Sequence, residues 1–302
     1  MKEVMPLNSM HFTMEQVLWA LVVAAHLVLL VVLLGRERLR RFSWFTAFTM
    51  LTTVRLLADH LLQGRLTTFA FYWQSYALLA AGSLFLIGVL IELTRQTFGA
   101  GAKPERNGKA SKPGKPVKAL SPLAWQGWSF LLLVVAGVAL FYWGQWPDLH
   151  AMKANPQTYP LLITVVIALK SELFTDILAI LVGILVILFG PRFGNGFKSH
   201  PVAIMIGLST TAMARLAVER ITDSIKVSQK ITNREQYEHI LRLFTNLDNA
   251  RLAVWLLAIV WWIYWLWRDE PGVGIVAQEP EGESPLATLD GEAELTEPDS
   301  RD

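Results

Sequence analysis

The chain predicts an all-α membrane protein built as a seven-transmembrane helix bundle, and three observations carry that prediction. Seven apolar stretches are each long enough to cross a bilayer. The 302 residues are 53% hydrophobic and only 17% charged, with a mean hydropathy of +0.39, far from the balance of a soluble domain. Arg and Lys crowd alternate gaps between the stretches. A hydrocarbon core about 30 Å thick takes about 20 apolar residues per helix, and it offers no water to unpaired backbone groups.

Residues 1–13 are polar and mixed and form an outer N-terminal segment. Helix one, at 14–34, is longer than a signal-peptide core and lacks a small-residue cleavage site, so it reads as a retained span. Helices two (43–63) and three (70–95) complete a first block over 14–98. A Gly-, Lys-, Pro- and Ala-rich linker at 99–121 is flexible and basic. Near an anionic bilayer surface each of its cations contributes ~1 kcal/mol. Helix four, at 122–146, is bracketed by Trp125, Trp128, Tyr142, Trp143 and Trp146. The block 147–268 holds helix five within 160–190, helix six at 200–222 and helix seven at 248–267. Between the last two, 223–247 reads as an outer amphipathic segment: Asn233 can cap a short surface helix, Gln236 follows three residues later, and Tyr237, Ile240, Leu241 and Phe244 recur at helical spacing. Trp255, Trp261, Trp262, Tyr264, Trp265 and Trp267 give helix seven the look of an interfacial aromatic belt. From residue 271 onward nine acids face only Arg301, so 269–302 reads as a disordered acidic tail.

Orientation follows from the cations. Arg36, Arg38, Arg40 and Arg41 follow helix one, and Arg95, Lys103, Arg106, Lys109, Lys112, Lys115 and Lys118 lie between helices three and four. The positive-inside rule puts both gaps in the cytoplasm. Alternation adds Arg192, Lys198 and Arg268, with the N-terminus outside and the C-terminus inside. Lys226, Lys230, Arg234 and Arg242, in the gap after helix six, run against this assignment.

Ionisable residues inside spans are costly unless paired or wetted, so they mark candidate sites. Helix two carries Arg55 and Asp59, helix five Glu172 and Asp176 with Lys170 nearby, and helix six Arg215 and Glu219. A spacing of four puts each pair on one helix face. Counted from the inner helix ends at 1.5 Å per residue, the members of these pairs fall at ~18 to ~28 Å. They therefore predict one polar layer in the outer half of the bundle, either an internal ion-pair network or a ligand or ion pocket. Arg41, Lys198 and His200 flank cytoplasmic helix ends, where they are expected to reach phosphates or to edge a partner-docking loop.

Other chemistry is thinly represented. With no cysteine there is no disulfide, thiolate metal site or thiol nucleophile. HExxH, P-loop and GxSxG patterns are missing, and helix seven has no Lys for a retinal Schiff base. His26 and His60 differ in depth by ~13 Å, awkward for two axial ligands of one haem, and read as packed histidines. No catalytic residue, metal or cofactor is proposed, no nucleic-acid partner is expected, and a non-enzymatic role is the reading.

Two stretches match each other. VVLLGRERLRRFSWFTAFTMLTTVRLLAD and VILFGPRFGNGFKSHPVAIMIGLSTTAMARLAVE each run an apolar helix to Gly, a basic turn, a Ser, a Thr-Thr pair, and an Arg four residues before an acid. The pattern is that of a 3+1+3 parallel repeat about helix four, an arrangement parallel-repeat transporters use.

Residue by residue the chain also resembles a family of uncharacterised bacterial heptahelical membrane proteins, over nearly all its length apart from the tail and much of the linker. The resemblance rests on Arg41-Phe42-x-Trp44-Phe45 opening helix two, Arg55 within it, and Tyr72-Trp73 near the start of helix three. It continues with Glu92 closing helix three, Lys198-Ser199-His200 with Ile206-Gly207 in helix six, and the aromatic helix seven ending in Arg268. Phe197-Lys198 and Leu208-Ser209 depart from the family pattern. The resemblance implies a multi-pass protein of the bacterial cytoplasmic (inner) membrane and no particular activity. The leading expectation is a receptor-like protein of the lipid bilayer that binds a small polar ligand at the outer-leaflet layer. A small-solute or ion transporter is the first alternative, and a non-catalytic subunit docked on a membrane protein partner is the second.

Overall fold

The computed structural model describes residues 13–36, 38–98, 122–143, 158–190, 199–228 and 233–269. The basic linker, the loop holding Arg192 and Lys198, Lys230 and the acidic tail from residue 270 lie outside the described residues. Within them the chain forms seven α-helices: α1 (Met14–Gly35), α2 (Ser43–Leu62), α3 (Thr68–Phe98), α4 (Pro122–Tyr142), α5 (Tyr159–Phe189), α6 (His200–Ser228) and α7 (Arg234–Trp267). No strand occurs among these residues. Five of the helices, α1, α3, α5, α6 and α7, are long and apolar enough to cross a membrane. The protein is a multi-pass helical membrane protein.

Local chemistry explains the helix ends. Thr13 Oγ1 accepts from the Gln16 N–H at 3.3 Å while the Gln16 side chain accepts from the Thr13 N–H at 3.1 Å, closing a capping box on α1. Phe42 has no side-chain acceptor for the start of α2, and Glu92 of α3 supplies one from across the interface. Its carboxylate accepts from Ser43 Oγ at 3.1 Å and from the N–H groups of Trp44 and Phe45 at 3.3 and 3.2 Å. A negative charge at orphan N-terminal donors is the favourable sign. Asn233 caps α7, accepting from the Gln236 N–H at 3.0 Å, as the sequence predicts. A separate surface helix over 223–247 does not form. Instead α6 continues to Ser228, and residues from Arg234 are the first turns of α7. Those 34 residues contain no Gly or Pro to break them. At 1.5 Å per residue the helix is about 51 Å long, so its charged first turns extend beyond what the hydrocarbon requires.

Six helices close a ring in the order α1, α2, α3, α5, α6, α7 and back to α1, while α4 packs outside against α5. One end of the ring is tightly packed. Leu33, Phe42, Phe45, Leu93, Ile204, Met205, Ile259, Trp262 and Leu266 are all within 2% of full burial there, close to where α1, α3 and α7 end and α2 and α6 begin. Close approach depends on two glycines at this end. A Cβ on Gly88 would sit 2.4 Å from the Trp44 ring, and one on Gly207 would sit 2.2 Å from Trp262 Nε1. The Trp262 and Trp261 indoles donate to the carbonyls of Ile204 and Ala203 at 3.2 and 2.9 Å, tying α7 to α6. The belt reading of helix seven is therefore corrected for Trp262, which is 1% exposed, whereas Trp267 is 57% exposed. Polar contacts finish the packed end. Arg36 bonds Asp269 at 3.2 Å, and the Arg268 carbonyl accepts from His200 Nε2 at 3.1 Å and from Arg38 at 3.4 Å.

Candidate functional site

Beyond the packed layer the ring encloses a cavity of about 520 Å³, lined by α2, α3, α5, α6 and α7. Apolar residues, among them Phe48, Leu86, Ala179 and Leu208, line it toward the packed end, and Arg55, Asp59, Glu172, Asp176, Arg215 and Arg251 supply its charge. Counted from the packed helix ends, all six charged residues fall at ~18 to ~26 Å. Five of the seven residues singled out for the polar layer thus line one cavity. Lys170 and Glu219 are not on its wall. Two residues before Glu172, Lys170 is turned about 200° away on the helix, and its Nζ donates to the Trp143 carbonyl at 3.1 Å beside α4. Glu219 lies one turn beyond Arg215, exposed, with no ion pair among the described residues.

The centre of the site is an ion triad between α5 and α6. Arg215 Nε donates to Asp176 Oδ2 at 2.6 Å, Nη2 donates to Asp176 Oδ1, and Nη1 donates to Glu172 Oε1. The planar guanidinium thereby engages both oxygens of Asp176 and one of Glu172, the geometry in which Arg–carboxylate pairing is strongest. The Asp176 side chain is 4% exposed, against 30% for Arg215 and 21% for Glu172. Helix approach makes the triad short-ranged. A Cβ on Gly183 of α5 would lie 1.8 Å from Ser209 Oγ of α6, and that hydroxyl lies 2.9 and 2.8 Å from the Ala179 and Met205 carbonyls. Two turns along α5 from Gly183, Asp176 meets Arg215.

The α2 side is built more loosely. Arg55 Nε lies 3.6 Å from Asp59 Oδ2 on the same helix, with each side chain about one-third exposed, and Ser75 of α3 donates to Asp59 Oδ1 at 2.7 Å. Arg251 of α7 reaches Asp248 at 3.5 Å from one nitrogen. The sequence reading passes over Arg251; its only signal is an Arg just inside the expected seventh span. Tyr76, which carried no signal, and Trp255, read from the sequence as part of the aromatic belt, also line the cavity; an aromatic on a largely apolar helix does not reveal which way it faces.

The loop residues separate. His200 is 1% exposed and engaged with Arg268 and, edge-on at 6.3 Å, with the Phe42 ring, so the expectation that it reaches a phosphate is corrected: it closes the packed end. The Arg41 guanidinium lies 5.4 Å from the Phe42 ring centre, and its carbonyl accepts from Gln96 Nε2 at 2.5 Å. Lys198 lies outside the described residues. His26 is buried with Nδ1 2.8 Å from the Val22 carbonyl, a packed histidine as expected, whereas His60 is exposed and stacks on Trp19 at 4.0 Å, so the packed reading is corrected there. Among the described residues no group of three or more His, Asp or Glu is placed to hold a metal ion.

Fold and cavity together define the class: a polytopic α-helical membrane protein with a charged cavity inside its helix ring. Compared with known protein families, curated proteins and solved structures, the chain matches none.

Proposed function

We propose that the protein is a heptahelical receptor-like membrane protein that binds a small polar ligand in the ring cavity from the non-cytoplasmic side. The observation that carries this reading is the cavity itself: six charged side chains from four helices gather on its walls at one height, while the opposite end of the ring is filled by buried aromatic and aliphatic side chains. Its volume falls in the range of small-molecule sites, about 300–1,000 Å³. Charged groups held within spans are functional by default when they line a cavity rather than lipid. The packed end carries Arg36, Arg38, Arg40, Arg41, Arg95 and Arg268, which supports a cytoplasmic placement for it and for the C-terminal side. All seven helices cross in this reading. Spanning by α2 is supported by its 20 residues and by its place in the ring, where Arg55 and Asp59 face the cavity.

A carrier is the second reading, and the order of helix neighbours favours it. A two-fold repeat mapping α1, α2, α3 onto α5, α6, α7 turns the α3–α5 contact into the α7–α1 contact, and both are present with α4 left outside. Parallel repeats of this kind bind solute at the interface between halves.

The chain has no cysteine, so a single one reports access cleanly. Thr211→Cys, on the cavity wall, is expected to react from outside with a membrane-impermeant maleimide in intact cells, and Thr97→Cys, fully buried at the packed end, is not. Labelling of Thr211→Cys only after the cells are opened would overturn the outward-facing cavity. Solute flux into proteoliposomes would select the carrier over the receptor.

A further inference from the structure

Within the cavity, donors and acceptors are unequally satisfied. Both oxygens of Asp176 and one of Glu172 accept from Arg215, and Asp59 accepts from Ser75 at 2.7 Å while facing Arg55. The arginines of the other walls are poorly matched. Arg55 approaches its acid with Nε alone at 3.6 Å and Arg251 with one Nη at 3.5 Å, both outside the 2.7–2.9 Å of a charge-assisted hydrogen bond. Each guanidinium carries five N–H donors and no acceptor. They sit on α2 and α7, at ~18 and ~24 Å from the packed end, and both line the cavity. The remaining hydrogen-bonding demand is therefore for acceptors with negative charge.

We infer that the cavity takes a small organic or inorganic anion, a carboxylate or phosphate held by Arg55 and Arg251, with the Arg215 triad as the fixed wall behind it. This rests on the ligand-binding reading above. Arg215 is spoken for and positions rather than binds. Bidentate guanidinium contact suits carboxylate and phosphate oxygens, and replacing the weak Asp59 and Asp248 contacts with them shortens the bonds without leaving either acid buried, since Asp59 keeps Ser75 and Asp248 is 60% exposed.

The test is equilibrium titration of the full chain in detergent micelles with four probes: succinate, inorganic phosphate, putrescine and glucose. Saturable binding is expected for succinate or phosphate and not for putrescine. Arg55→Gln and Arg251→Gln should each weaken it by about tenfold or more, the value of a hydrogen bond to a charged group. Arg55→Lys, which keeps the charge and loses the fork, should weaken it less. Asp59→Asn, which removes the acid beside Arg55, should leave affinity unchanged or raise it. Saturation by putrescine or glucose with none by either anion would overturn the anion assignment and leave the ligand-binding reading standing, as would anion binding indifferent to both Gln variants. No saturation by any of the four, with Thr211→Cys closed to the outside reagent, would end both.

Discussion

The same short pattern, an Arg four residues before an acid, occurs in α2 and in α6, and the two copies choose different partners. Arg55 turns to its own Asp59 at 3.6 Å. Arg215 ignores its own Glu219 and reaches across to Glu172 and Asp176 of α5. The difference lies in the neighbouring helix. Opposite α6, α5 presents two carboxylates one turn apart and comes close through Gly183 and Ser209. The helix on the corresponding side of α2 is α1, which between Val17 and Leu34 has no acid to offer. Partner choice is thus set by what the adjacent helix carries and how near it can come, not by the local motif.

That contrast is best broken at Arg215. Arg215→Met strands two carboxylates, one almost fully buried, and should cost about 3–5 kcal/mol, as removing one partner of a buried ionic group does. Replacing Glu172, Asp176 and Arg215 together by apolar residues of similar volume should recover most of that loss. Unfolding by denaturing detergent in mixed micelles measures both, and a loss below about 1 kcal/mol for the single change would make the α5–α6 triad no stronger than a surface pair. Gly183→Ala tests the close approach instead. Its Cβ meets Ser209, so the same assay should register about 1–3 kcal/mol, and a neutral result would mean the helices separate freely. Arg55→Gln, in a pair about one-third exposed, should cost no more than about 1 kcal/mol of stability while weakening the proposed anion binding by about tenfold or more. Glu219→Gln should fall within about 0.5 kcal/mol; a larger loss would show that α6 uses its local acid after all.

Much of the secondary structure was legible because a spanning helix is specified locally. α1 follows from one long apolar run and α5 from two apolar runs flanking Lys170–Asp176, and α2 runs over 43–62 where the sequence predicts 43–63. The one departure in helix assignment, a separate surface helix before helix seven, came from reading a change of polarity at residue 248 as a change of structure. Polarity marks where a helix leaves the hydrocarbon, whereas only Gly, Pro or a cap ends it. In the site, helical spacing and depth predicted that Arg55, Asp59, Glu172, Asp176 and Arg215 would share a level, since rise per residue is fixed. Lys170 and Glu219 shared that level too, yet Lys170 turned to Trp143 beside α4 and Glu219 lies exposed one turn beyond Arg215 on α6.

By itself the sequence determined which segments are helical and how far along them their charges stand, because each of these depends on composition and spacing along one helix; of the seven stretches it offered as spans, five form helices long and apolar enough to cross a membrane. The tertiary structure alone decided that six helices form a ring, that α4 stands outside it, and that Arg215 pairs with α5 while Arg55 and Arg251 line the same cavity. Those outcomes depend on which faces meet and how closely. An apolar helix buried on several sides gives no hint of its facing, and close approach is set by single residues such as Gly183 and Gly207 acting on partners far away in the chain.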